Sequence, residues 1–116
     1  MPTLFERSTP NPAGYRDIHP KHLAETETGA RLVDVREPHE LRGDLGHVAG
    51  VENVPLARMG EAAARFRKDE HIVLVCRSGR RSGQAAEALA AAGFSYVMNL
   101  EGGMVAWNEA GLPVRR

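Results

Sequence analysis

Four consecutive apolar residues, Ile72-Val73-Leu74-Val75, run directly into Cys76 and a short basic loop, and an alanine-rich segment from Gln84 to Ala92 follows. An apolar run of this length without polar alternation reads as a strand covered on both faces, which requires helices on both sides of a sheet. The rest of the chain supplies them. From Tyr15 onward, β-type runs alternate with helical stretches: Arg16-Asp17-Ile18, a helix near Pro20 to Thr26, Arg31 to Val35 after the Gly29 turn, and a brief strand at Glu52 to Val54. A helix from about Met59 to Arg67 precedes the Ile72 strand. A helix from Ser82 to Ala92 ends at Gly93, with Phe94 beyond it, and Ser95 to Leu100 reads as the last strand. Gly102-Gly103 then turns into a short helix carrying Trp107, a core anchor by its large apolar surface. This order predicts a single α/β domain over 15–116 with a mainly parallel central sheet. Residues 1–14, with three prolines and no periodicity, read as an extended or partly ordered N-terminal arm without chemistry of its own.

Cys76, the only cysteine, sits where the strand ends and the next helix begins. The unpaired backbone amides and positive dipole end of a helix favour thiolate over thiol there, and the same geometry cradles an anion. Arg77, Arg80 and Arg81 oppose that dipole, and such a local violation marks function. An inert buried cysteine beside a solvated basic turn is the alternative, but this electropositive setting points to a reactive thiolate. A single cysteine closes no intrachain disulfide and offers no CxxC pair. His19, His22, His39, His47 and His71 show no metal-ligand spacing with Cys76, so neither a metal nor another cofactor is expected.

Cys76-Arg77-Ser78-Gly79-Arg80-Arg81-Ser82 resembles the active-site loop of rhodanese-type sulfurtransferases. Three further segments resemble that family in the same order: Leu32-Val33-Asp34-Val35-Arg36-Glu37, then Gly46-His47-Val48-Ala49-Gly50 through Pro55, then Leu100-Glu101-Gly102-Gly103 with Trp107. The resemblance spans roughly Tyr15 to Pro113 and implies a rhodanese-like single domain. It implies that Cys76 attacks the sulfane sulfur of thiosulfate or a related small anionic donor, becomes a persulfide, and passes the sulfur to cyanide, a thiol or a sulfur-carrier protein. Arg77, Arg80 and Arg81 would attract the donor, with Arg81 closing the loop, Ser78 and Gly79 contributing backbone, and Ser82 completing the donor site. Asp34 and Arg36 are either a pocket rim or a structural brace, and His47 is read as structural. Two departures stand out: Arg42-Gly43-Asp44-Leu45 lengthens the approach to Gly46, and Val51 stands where the family commonly has alanine.

Two rival readings have discriminating features. Cysteine phosphatases and arsenate reductases wrap a tetrahedral oxyanion with C-x5-R, whereas here Arg81 closes C-x4-R and Ser82 takes the next position. Non-catalytic rhodanese-like docking modules typically lack the cysteine that this chain retains. Fifteen basic and fifteen acidic residues balance, which gives no electrostatic reason to seek nucleic acid or a membrane. The chain has neither a membrane-length apolar run nor the basic-then-apolar pattern of a signal peptide, so a cytoplasmic monomer is expected.

Overall fold

A computed structural model describes residues 3–26 and 29–116. Six strands form one sheet: β1 (Thr9–Pro10), β2 (Arg16–Ile18), β3 (Arg31–Asp34), β4 (Glu52–Asn53), β5 (His71–Val75) and β6 (Tyr96–Leu100). Their spatial order is β1-β2-β6-β5-β3-β4, and every neighbouring pair is parallel except β1 with β2 at the edge. The expected α/β architecture is therefore present, and β5 lies inside the sheet, as its unbroken apolar run requires.

Side chains alternate across the two faces of β5. Ile72 and Leu74, with Cys76 beyond them, join Val33, Val35 and Val97 beneath α4 (Met59–Ala63) and α5 (Arg80–Ala91). Val73 and Val75 point the other way, to Met98, Leu100, Met104 and Trp107, under α1 (Leu4–Arg7), α2 (Pro20–Glu25) and α6 (Gly103–Glu109). Ala85 and Ala86 let α5 lie close on the sheet, and Gly93, at φ +97°, ends the segment so that Phe94 folds back into the core. Trp107 is buried, and its indole N–H donates to the Pro113 carbonyl at 2.9 Å.

Several element boundaries differ from the sequence expectation. The helix expected to reach Arg67 ends at Ala63, because the amides of Arg65 and Phe66 reach back three residues and tighten the chain, bringing Phe66 onto the core. In residues 3–14, more is folded than the lack of periodicity suggested. Thr3 and Glu6 form a reciprocal capping box on α1, Leu4 is buried, and β1 pairs with β2. A short α3 (Pro38–Leu41), preceded by Glu37, was not foreseen either.

The carboxyl ends of the parallel strands carry the region of interest, and α6 approaches it from behind. Gly103 has φ +59°, and a Cβ there would stand 2.5 Å from the Cys76 carbonyl oxygen and 2.6 Å from that of Arg77. Only glycine allows the amides of Met104 and Val105 to donate to those two carbonyls, at 2.8 and 3.0 Å. Gly103→Ala is expected to cost at least ~2 kcal/mol, from the left-handed backbone together with the clash, read as a lower denaturation midpoint in urea.

Candidate active site

The peptide planes after Cys76 are oriented by the α6 contacts. With the carbonyls of Cys76 and Arg77 turned towards α6, planarity turns the amides of Arg77 and Ser78 to the opposite side of the loop. Gly79, at φ +96°, then reverses the chain into α5, which begins at Arg80, two residues earlier than the sequence suggested. Its amide lies 3.0 Å from Cys76 Sγ, and the Ser82 hydroxyl oxygen, from the first turn of α5, lies 3.2 Å from the same sulfur.

Cys76 is 1% exposed. Burial acts to raise its pKa, but hydrogen bonding from the Ser82 hydroxyl and from the amides of Ser82, Gly79 and Ser78 outweighs it, and the thiol is held below its ordinary value. The sulfur thus sits at a focus of donors in a water-poor setting, an arrangement that stabilises a nucleophilic thiolate by fixed dipoles.

The loop arginines divide into two kinds. Arg77 and Arg80 are exposed, and among the described residues neither guanidinium is paired with a carboxylate, unlike that of Arg81. Arg81 instead forms a two-pronged pair with Glu40 of α3, its Nη1 and Nη2 donating to Oε1 and Oε2 at 2.7 and 2.9 Å. The resemblance gave Arg81 two tasks, and the geometry bears on them differently. Its guanidinium ties α5 to α3 across the loop, and its outward donors are already engaged by a carboxylate. The pairing raises the Arg81 pKa and pulls Glu40 down to about 2.

Asp34 and Arg36 lie beneath this level, 0% and 1% exposed. The guanidinium grips Asp34 through Nε and Nη2, at 2.9 and 2.8 Å to its two oxygens. Its remaining donors go to the carbonyls of Glu40 and Gly46. The pair braces the α3 segment, and Asn53 Nδ2 ties the same turn through the carbonyls of Asp34 and Arg36. His47 is likewise engaged structurally, with Nδ1 2.9 Å from the Leu41 carbonyl.

Two residues that bond to the loop and the first turn of α5 escaped the sequence reading. Glu40 lies 41 positions from Arg81, with no local signal linking them. Asn99 of β6 lies 2.5 Å from the Ser82 hydroxyl through Oδ1, and its Nδ2 donates to the Gly79 carbonyl at 3.1 Å. Asn99 did have a signal: alternation in β6 puts it on the same covered face as Val97, where a polar side chain needs a partner. Among the described residues, no group of three or more His, Cys, Asp or Glu side chains could hold a metal, and no helix is long and apolar enough to cross a membrane.

The rhodanese-like domain profile matches residues 19–110. The chain is 37% identical over 94 residues to a protein of Allochromatium vinosum named sulfurtransferase, covering 81% of this chain and 85% of that one. It is 39% identical over 98 residues to an uncharacterised protein of Synechocystis, covering 83% and 54%. The chain spans about half the length of several curated relatives. A crystal structure of a rhodanese-related protein from Thermoplasma volcanium superposes with a TM-score of 0.76 at 33% identity, covering 85% of this chain and 96% of the other.

The Glu40–Arg81 pair makes the site's rigidity depend on pH with a definite sign. Because the Glu40 carboxyl is depressed from 4.5 to about 2 in the fold, its stabilisation is fully present above about pH 4.5 and is lost as pH falls through about 2. Glu40→Gln is expected to cost on the order of 1–2 kcal/mol near neutrality, after allowance for screening at this half-buried pair. The difference from wild type should shrink below about pH 4.5 and vanish only below about pH 2, as measured by urea denaturation across pH.

Proposed function

The chain belongs to the rhodanese-like domain family, and on that premise we propose that it is a thiosulfate-type sulfurtransferase working through a Cys76 persulfide. One observation carries this reading: Cys76 Sγ lies at the meeting point of the Gly79 amide and the Ser82 hydroxyl, at the amino end of α5. The Cys76 thiolate attacks the outer sulfur of the donor. A new S–S bond forms, the donor's own S–S bond breaks, and sulfite departs with its electron pair. Cys76-S-S⁻ remains, and a nucleophile such as cyanide, a thiol or a sulfur-carrier protein attacks its outer sulfur and returns the thiolate. The scheme is ping-pong and consumes no reductant.

Arg77 and Arg80 are assigned to recognition of the anionic donor, since their charges are exposed at the mouth and not committed to a carboxylate. Arg81 is assigned to holding the loop closed through Glu40, and Ser78, Gly79 and Ser82 to surrounding the sulfur. A docking role without catalysis leaves the depressed thiol and its donors without a purpose. A phosphatase role is disfavoured by the C-x4-R loop and by the engagement of its closing arginine with Glu40, since a phosphate monoester needs that guanidinium for its own oxygens.

Intact-protein mass spectrometry after mixing with thiosulfate tests the reading. Wild type should gain one sulfur atom that cyanide removes, and Cys76→Ser should gain none. An unmodified wild-type mass with thiosulfate, polysulfide, mercaptopyruvate and glutathione persulfide in turn would overturn it. Arg77→Ala and Arg80→Ala should each raise the KM for thiosulfate several-fold at low salt, with stability changed by less than about 0.5 kcal/mol. Steady-state kinetics at two ionic strengths, beside urea denaturation, separates recognition from folding.

A further inference from the structure

The proton arithmetic around Cys76 does not close with every contact made at once. Ser82 has a single hydroxyl proton, and its Oγ faces two partners, Cys76 Sγ at 3.2 Å and Asn99 Oδ1 at 2.5 Å. The orientation of the Asn99 amide is fixed by its other end. Nδ2 donates to the Gly79 carbonyl, an atom that can only accept, so Oδ1 is the atom presented to Ser82, and it too can only accept. Close packing keeps Asn99 in place: a Cβ at Gly83 would meet Tyr15 Oη at 3.1 Å and Asn99 Nδ2 at 3.5 Å. The Ser82 proton can therefore lie towards Asn99 or towards the sulfur, but not both.

We propose that Asn99 is a positioning residue that competes with Cys76 Sγ for the single proton of Ser82, making this hydroxyl a two-position switch set by the charge on the sulfur. With the sulfur protonated, S–H donates to Ser82 Oγ and the hydroxyl donates to Asn99. When the thiol proton leaves to solvent, Sγ becomes an acceptor and the hydroxyl turns to it, giving up Asn99. No covalent bond to Ser82 forms or breaks.

The last part rests on the sulfur-transfer reading. In the persulfide, negative charge resides on the outer sulfur, Sγ is a neutral bridging atom, and the hydroxyl returns to Asn99. Discharge of the outer sulfur to an acceptor puts charge back on Sγ and turns the hydroxyl again. Asn99 thus stabilises the thiol and the persulfide relative to the bare thiolate, which limits how far the cradle can favour a state that must react.

Other charged and titratable groups surround the site from each packed element. These are Asp34 and Arg36 at the end of β3, Glu40 of α3, Arg77 in the loop, Arg80 and Arg81 of α5, and Tyr15 beside Asn99. None of them changes identity in the test.

The test follows the rate of iodoacetamide alkylation of Cys76 against pH, without any sulfur donor, after circular dichroism has established that each variant folds. Ser82→Ala should raise the midpoint by about one pH unit, a tenfold loss of thiolate below it, because a hydrogen bond to a charged group is lost. Ser82→Thr, which retains the hydroxyl, should restore the wild-type midpoint. Asn99→Leu removes the competing acceptor while excluding water and should lower the midpoint by about half a unit to one unit. The same change made in Ser82→Ala should produce no further movement. Asn99→Ala offers the same comparison should the leucine variant fail to fold.

An unmoved midpoint in Ser82→Ala overturns the switch. Equal movement on replacing Asn99 with and without the Ser82 hydroxyl also overturns it, because Asn99 would then act only as an anchor for the loop through Gly79. These readings involve no sulfur transfer, so absence of a persulfide with every donor would remove the proposed function while leaving the switch established or refuted on its own.

Discussion

Everything at the candidate site depends on two carbonyl groups being turned away from the sulfur. A strand that ends at a cysteine ordinarily presents donors and acceptors alternately, and carbonyl oxygens near Sγ would repel a thiolate. Here the Met104 and Val105 amides take the carbonyls of Cys76 and Arg77, and planarity of each peptide sends the amides of Arg77 and Ser78 the other way. Cys76 is buried and its carbonyl cannot be left unpaired, so the cradle depends on α6 reaching it, and α6 can reach it only because Gly103 lacks a side chain. The sheet serves the same end. β6 leads directly into α6 and lies beside β5, so one strand pairing places both the sulfur and the amides that orient its loop.

Electrostatics then adds a second layer with a different purpose. Asp34 with Arg36, and Glu40 with Arg81, form two ion pairs linked through the Glu40 residue itself, whose carbonyl accepts from Arg36 while its carboxylate accepts from Arg81. The buried pair fixes the α3 segment, and the half-buried pair fastens that segment to α5. A buried ion pair is poor in net stability, because removing two charges from water offsets most of their attraction. Its value lies in geometry: the planar guanidinium of Arg36 ties Asp34 to the carbonyls of Glu40 and Gly46 in a fixed fork, which orients the α3 segment that carries Glu40.

How much of this was legible follows from the distance over which each feature acts. The strand, the loop and the helix around Cys76 depend on neighbours in sequence, and the apolar run with its following glycine and alanines displayed them. Gly102-Gly103 was read as a tight turn, and that was half its role; the approach of its backbone to Cys76 joins segments far apart in the chain. Glu40 could not be paired with Arg81 by inspection, since carboxylates are common and this one had 41 residues of separation to hide in. The N-terminal residues were underestimated because a one-turn helix has no periodicity to detect, although Thr3 and Glu6 stood at capping-box spacing throughout.

The division among the arginines shows how one basic loop can serve two physical regimes. Arg77 and Arg80 stand in water, where the attraction between unit charges at contact distance is only about 1 kcal/mol and is screened within about 8 Å at physiological salt. Such charges select and steer a small anion without stabilising the fold, and on the proposed reading they set which donor arrives. The donors around Sγ work in a setting nearly free of water, where a single oriented amide or hydroxyl has a far larger effect. Recognition at the mouth can therefore vary without disturbing the sulfur, whereas loss of the Ser82 hydroxyl, or a side chain at Gly79 or Gly103, alters the setting of Cys76 Sγ whatever anion is presented.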